Sequence, residues 1–98
     1  MKGSEDVFCD RYGYTNRNRV ISFFLACCDL EFAIEDVAEE EGIPKTRVAD
    51  IIKDLEIEEI LKKSRKVKGV QLYKLNHLSY EAMRLLENFN DCLERQLR

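Results

Sequence analysis

Residues Ala33 to Glu58 read Ala-Ile-Glu-Asp-Val-Ala-Glu-Glu-Glu-Gly-Ile-Pro-Lys-Thr-Arg-Val-Ala-Asp-Ile-Ile-Lys-Asp-Leu-Glu-Ile-Glu, and this stretch decides the fold. The pattern predicts two short helices broken at Gly42. In the first, Ile34, Val37 and Ala38 share one face at three- and four-residue spacing. Glycine at position 42 ends that helix, since it takes a left-handed C′ conformation without steric cost. Pro44 opens the second helix, where its missing N–H is not needed. Val48, Ile51, Ile52 and Leu55 form the buried face of this second helix.

Ala38 is small where two helices cross closely. Gly42 follows it by four residues, and Val48 and Ile51 follow Gly42 by six and nine. Constrained positions agreeing in this way resemble the helix-turn-helix of DNA-binding proteins. The plainer alternative is a helical hairpin within some other all-α domain.

Length and composition bound the rest. Ninety-eight residues make one domain with a modest core, and 45% apolar with 36% charged residues argues against disorder. The longest apolar run, Val20 to Cys28, is too short to span a bilayer. The first eight residues carry charges where a signal peptide needs an apolar segment, so a cytoplasmic protein is expected. Four cysteines without a C-x-x-C agree with reduced thiols.

The net charge of −3 argues mildly against a nucleic-acid partner, but its distribution points the other way. Residues 29 to 41 hold seven acids and no base, whereas residues 45 to 76 hold nine bases against five acids. A polyanion responds to the local patch, because salt screens charges beyond about 8–10 Å.

Upstream, Val7, Phe8, Tyr12 and Tyr14 make residues 1–15 too apolar for a free arm, and a short helix near Ser4 to Asp10 is one form it takes. A partner subunit is one candidate for what it packs on. A helix over Asn16 to Cys28, capped by Thr15 or Asn16, is apolar nearly all round and so buried on most sides. Arg17 and Asn18 stand at its start, where a cation opposes the helix dipole, a hint that this end meets phosphate. A solvated arginine is the plainer account. Glu31-Phe32-Ala33 suits a very short strand. Ala33 is a poor N-cap for the next helix, and nothing in the local sequence accounts for it. Glu39, Glu40 and Glu41 form a solvated acidic face.

On the second helix of the hairpin, Lys45, Thr46, Ala49, Asp50 and Lys53 lie opposite the buried face, with Arg47 at the flank. Basic and small polar residues on the first two turns suit a major groove. Ala49 leaves room for close approach. Asp50 either accepts from cytosine or pairs with Arg47 or Lys53, and the ion pair ranks higher.

From Ile60 to Asn76 the period changes to two, and Lys68-Gly69 marks a tight hairpin turn. Ile60, Tyr73 and Leu75 face the core. Lys63, Arg65, Lys66 and Lys68 remain for solvent or phosphate. A last helix runs from Ser79, its cap, to Arg98. Ala82, Leu86, Phe89, Leu93 and Leu97 form an apolar seam, widened by Met83, Leu85 and Cys92. The helix at residues 16–28 already covers the helix-turn-helix, so a dimer interface is the favoured use of this seam over packing within the chain.

The expected fold class is mainly α with a small β-hairpin. Helix, helix-turn-helix, two-stranded wing and long C-terminal helix, in that order, resemble the winged-helix transcriptional regulators. The residues that carry the resemblance are Asn16 to Val20, the Ala38/Gly42/Val48/Ile51 pattern and Lys62 to Asn76. The style is similar to small archaeal regulators of ArsR- and MarR-like architecture. The resemblance implies an N-terminal arm at 1–15, a DNA-binding domain at 16–76 and a dimerisation helix at 77–98. It implies double-stranded DNA and a second copy of the chain as partners. It places Lys45, Thr46, Ala49, Asp50 and Lys53 toward the groove and Arg65, Lys66, Lys68 and Gly69 on a neighbouring phosphate. Pro44 departs from the capping serine of many relatives, and the acidic helix before it would repel DNA.

Other chemistry finds little support. No metalloprotease, P-loop or dinucleotide motif is present, and His77 stands alone as the chain's one histidine, so neither an enzyme nor a cofactor is expected. Cys27 and Cys28 project about 100° apart on a helix and read as core residues rather than joint metal ligands. Cys92 reads as core or interface. Cys9 is the expected exposed thiol, and a redox role for it resembles that of some MarR-type regulators. The alternative to DNA binding is a winged-helix protein-interaction module whose acidic helix meets a basic partner.

Overall fold

The computed structural model describes residues 7–97, with side chains through residue 95. The elements are α1 (Val7–Tyr12), α2 (Asn16–Ala26), α3 (Ile34–Glu41), α4 (Lys45–Ile57), β1 (Leu61–Val67), β2 (Val70–Leu75) and α5 (Tyr80–Leu97). Residues 4–6 of the expected N-terminal helix lie outside the described residues, as does the side chain of Leu97.

Helix α2 is the hub. Thr15 caps it by accepting from the Asn18 N–H at 3.0 Å, and Val20, Ile21, Ser22, Phe23, Phe24 and Leu25 are all buried. Phe23 and Phe24 meet Phe32 edge-on at ring separations of 4.6 and 6.0 Å. Helices α1, α3, α4 and α5 all pack on α2, which is why an element apolar on every side is stable there. It ends at Ala26 rather than at Cys28, because Cys27 leaves helical geometry at φ −119°, ψ 50°. Cys27 and Cys28 therefore sit in the following turn, both half-buried; Cys28 packs against the edge of the core as its sequence context suggested, whereas Cys27 is not part of the core cluster.

The bend between α3 and α4 forms as the sequence requires. Gly42 adopts φ +67°, and the Ile43 N–H bonds to the Ala38 carbonyl at 3.1 Å. Pro44 is the N-cap, one position before the first helical residue. The weak Ala33 cap has its answer in Asp36, whose carboxylate accepts from the Ala33 N–H at 3.0 Å. Val37, Val48, Ile52 and Leu55 are buried, while Ile34, Ala38 and Ile51 pack half-buried against them. Glu41 departs from the expected solvated acidic face. It is 4% exposed, with the Arg19 guanidinium 3.6 Å from its carboxylate and bonded to its carbonyl. At the other end of α4, Glu59 takes φ +64°, a left-handed position that a glycine usually fills, and the Ile60 N–H closes back on Leu55 at 2.9 Å.

Strands β1 and β2 pair antiparallel, from Leu61 opposite Leu75 to Val67 opposite Val70. Lys68 and Gly69 connect them at φ +52° and +81°, the two positive values a type I′ turn needs. Phe32 adds the expected third strand as a single bridge to Tyr73, with two 2.8 Å hydrogen bonds. Ile60, Leu61, Tyr73 and Leu75 anchor the hairpin root in the core.

The apolar seam of α5 is largely used within the chain. Ala82 is fully buried and Phe89 is 7% exposed, both in the same core cluster as Val7 and Phe8. These two seam residues are thus not free for a partner. The surface that covers them is α1 together with α2, and the expectation overlooked what the arm could bury. The same inward turn of α1 buries Cys9 to 1% exposure, so Cys9 is not the exposed thiol expected. Leu86 is half-buried and Leu93 is 37% exposed.

Candidate nucleic-acid interface

Two helix turns and a hairpin form the face. On α4, the burial of Val48, Ile52 and Leu55 turns Lys45, Thr46, Arg47, Asp50 and Lys53 outward, all exposed, with Ala49 half-buried between them. Lys45, Ala49 and Lys53 make one stripe at four-residue spacing. The start of α4 lies beside the wing: Lys45 shares a shallow hollow with Ile34 and Glu35 of α3 and with Val70, Gln71 and Tyr73 of β2. On the wing, Lys63, Arg65, Lys66, Lys68 and Gly69 are all exposed. Between Lys63 and Lys66 the β1 register slips by one residue, since Lys63 faces Tyr73 while Lys66 faces Gln71. A bulge of this kind re-aims its side chains.

Acidic neighbours reach only part of this charge. Glu35 approaches Lys45 at 3.4 Å, both groups being exposed, and Glu31 holds Arg65 at 2.8 Å. Among the described residues, no carboxylate comes within ion-pair distance of Arg47, Lys53, Lys63, Lys66 or Lys68. The expected ion pair of Asp50 with Arg47 or Lys53 does not form either. A set of clustered cations without internal partners favours a polyanion over water by counterion release.

Glu31 was not singled out by sequence, yet it organises the wing root. It accepts from the Ser64 hydroxyl and from Arg65 Nε, and the Ser64 bond, with Arg65 next, holds its carboxyl below the usual value. Burial raises the Tyr73 phenol, with Glu56 adding to the effect. Arg17 and Asn18, expected at phosphate, are engaged inside the chain. Arg17 pairs with Glu58 at 2.7 Å, and the Asn18 amide donates to the Tyr12 and Gly13 carbonyls at 3.1 and 3.2 Å. Away from this face, His77 Nε2 lies 2.7 Å from the Cys28 carbonyl oxygen and 3.6 Å from Asp29 Oδ1. Neither contact was predictable between residues 49 and 48 apart in the chain. No helix among the described residues is long and apolar enough to cross a membrane.

No known protein-family profile matches the chain, and no curated protein does. Solved structures do. ZitR of Lactococcus lactis, in the apo form of a double mutant, superposes with a TM-score of 0.63 at 20% identity, over 81% of this chain and 59% of that one. The adhesin competence repressor AdcR of Streptococcus pyogenes gives 0.65 at 15% identity, over 91% of this chain and 64% of that one. A mutant of S. aureus MepR gives 0.65 at 15% identity, over 98% and 70%. Wild-type ZitR in complex with DNA is also similar, at 0.61 and 18% identity. This chain thus spans well under two thirds of the length of the ZitR structures. At such identity the likeness is one of architecture, and it agrees with the helix-turn-helix, hairpin and long last helix described above: the chain has the winged helix-turn-helix fold.

Proposed function

We propose that this chain is a sequence-specific, double-stranded-DNA-binding transcription regulator of the cytoplasm. Helix α4 enters the major groove through Lys45, Thr46, Arg47, Ala49, Asp50 and Lys53. The wing grips the flanking backbone through Lys63, Arg65, Lys66, Lys68 and Gly69. The observation that carries this reading is the adjacency of the α4 start to the wing, with cations on α4 (Arg47, Lys53) and on the wing (Lys63, Lys66, Lys68) that lack carboxylate partners among the described residues. The DNA complex of ZitR, a protein of the same fold, supports it.

The active form in this proposal is a homodimer, joined through the outer side of α5 near Leu93 rather than through Ala82 and Phe89. A Leu93→Glu variant tests this by sedimentation, since its exposed site spares the fold. A lighter species than the wild type supports the dimer, and unchanged mass removes Leu93 from it.

Selection of genomic fragments by the purified protein, followed by footprinting and a salt titration, tests the DNA reading. Binding is expected to fall steeply with salt, with a slope of about 0.9 per phosphate contacted. Indifference to every duplex at low ionic strength overturns it. The second reading, a protein-interaction module, draws on the exposed Glu35, Asp36, Glu39 and Glu40 of α3, which line a cleft with Phe23 and Phe32. A basic protein partner captured by the wild type but not by a charge-neutralised α3 variant would favour it.

A further inference from the structure

Three metal-ligand side chains of different chemistry converge where the turn after α2 meets the connector after β2. Cys28 and Asp29 lie in the turn that ends α2, and His77 lies in the connector from β2 to α5. One ligand atom from each falls within 4.8 Å of the others. Cys28 is half-buried, Asp29 is open to solvent and the His77 side chain is 37% exposed.

We propose that Cys28, Asp29 and His77 bind one divalent transition ion, with zinc the best match. Thiolate, imidazole and carboxylate together suit zinc over magnesium or calcium, which prefer oxygen alone. A tetrahedral zinc places its donor atoms about 3.5 Å apart. His77 Nε2 and Asp29 Oδ1 are already 3.6 Å apart. The remaining closure is small for an aspartate that is 88% exposed and free to change rotamer. Three protein donors leave a fourth position for water.

The Cys28 carbonyl oxygen holds the imidazole at 2.7 Å. Coordination through Nε2 uses the tautomer protonated at Nδ1, so that hydrogen bond is exchanged for the metal bond, and the Cys28 thiol releases its proton to solvent. The ion then ties the end of the central helix to the root of the last helix, two segments joined here by no backbone hydrogen bond. Sequence spacing hid the set, because adjacent cysteines on a continuous helix diverge; the helix ends at Ala26, and Cys28 in the following turn meets a residue of the connector after β2.

Cobalt(II) titration of the full chain, stripped with chelator and kept reduced, tests the assignment without reference to DNA. A thiolate-to-cobalt charge-transfer band with tetrahedral d–d bands is expected, saturating at one ion per chain and displaced by zinc. Zinc is also expected to raise the unfolding temperature. Cys28→Ser removes the charge-transfer band. His77→Gln, which keeps a hydrogen-bond donor toward the Cys28 carbonyl, weakens binding by more than about ten-fold. Cys27→Ser leaves the spectrum unchanged. Circular dichroism of the metal-free variants establishes that each is folded. Absence of the band, its survival in Cys28→Ser, its loss in Cys27→Ser, or full affinity in folded His77→Gln each overturns the proposal.

Discussion

Arg65 Nε donates to Glu31 Oε2 at 2.8 Å, so the arginine of the wing is held by an acid from the segment before α3, 34 residues away in sequence. In the proposed complex, DNA would have to compete with Glu31 for this guanidinium. Glu31→Ala is therefore expected to tighten DNA binding by up to about five-fold, the range of an exposed ion pair, and to steepen the salt dependence. Fluorescence anisotropy across a salt series measures both, and weaker binding in the variant would count against Arg65 as a phosphate contact.

The same carboxylate gives a pH signature. Its proton is held less tightly folded than unfolded, because Ser64 and then Arg65 stabilise the ionised form. The contact thus adds stability above the ordinary value of 4.5 and loses it as pH falls through the lowered folded value. Glu31→Gln should be less stable than wild type at neutral pH, with the gap closing below that range, as read from urea midpoints.

Arg47, Lys53 and Lys66 each stand without a carboxylate partner among the described residues. Replacing any one by alanine is expected to weaken binding to all duplexes and to lower the salt slope by about 1. Lys45→Ala should do less, since Glu35 already offsets that charge at 3.4 Å. An effect confined to one sequence would instead mark the residue as a base reader.

Two left-handed residues make opposite stability predictions. At Gly42, φ is +67° and an added Cβ meets nothing within 4 Å, so Gly42→Ala costs only backbone strain, about 1–2 kcal/mol. Glu59 already carries such strain at φ +64°, so Glu59→Gly is expected to gain up to about 1 kcal/mol. Chemical denaturation of the pair against wild type checks the sign of each.

The α5 seam separates core from surface in the same assay. Phe89→Ala should cost about 3–5 kcal/mol, since Phe89 is 7% exposed within the single chain. Leu93→Ala, at 37% exposure, should cost far less in the monomer; if the proposed dimer forms, wild-type stability rises with protein concentration and the variant shows a weaker dependence. Comparable losses at both sites, independent of concentration, would place Leu93 in the core as well.

The sequence by itself determined the features set by neighbours in the chain. The break at Gly42, the outward stripe of Lys45, Ala49 and Lys53, the Lys68-Gly69 turn and the Ser79 cap follow from helical period, strand period and backbone sterics, which act over a few residues. The order of elements, and with it the winged-helix fold, was readable for the same reason. Only the tertiary structure decided which apolar faces meet and which charges find partners. It assigned Ala82 and Phe89 to the core because α1 folds onto α5, and it buried Cys9 in the same step. It joined Arg17 to Glu58, Glu31 to Arg65 and His77 to Cys28, pairs separated by 41, 34 and 49 residues. Such contacts depend on where the chain returns in space, and one-dimensional periodicity carries no information about that distance.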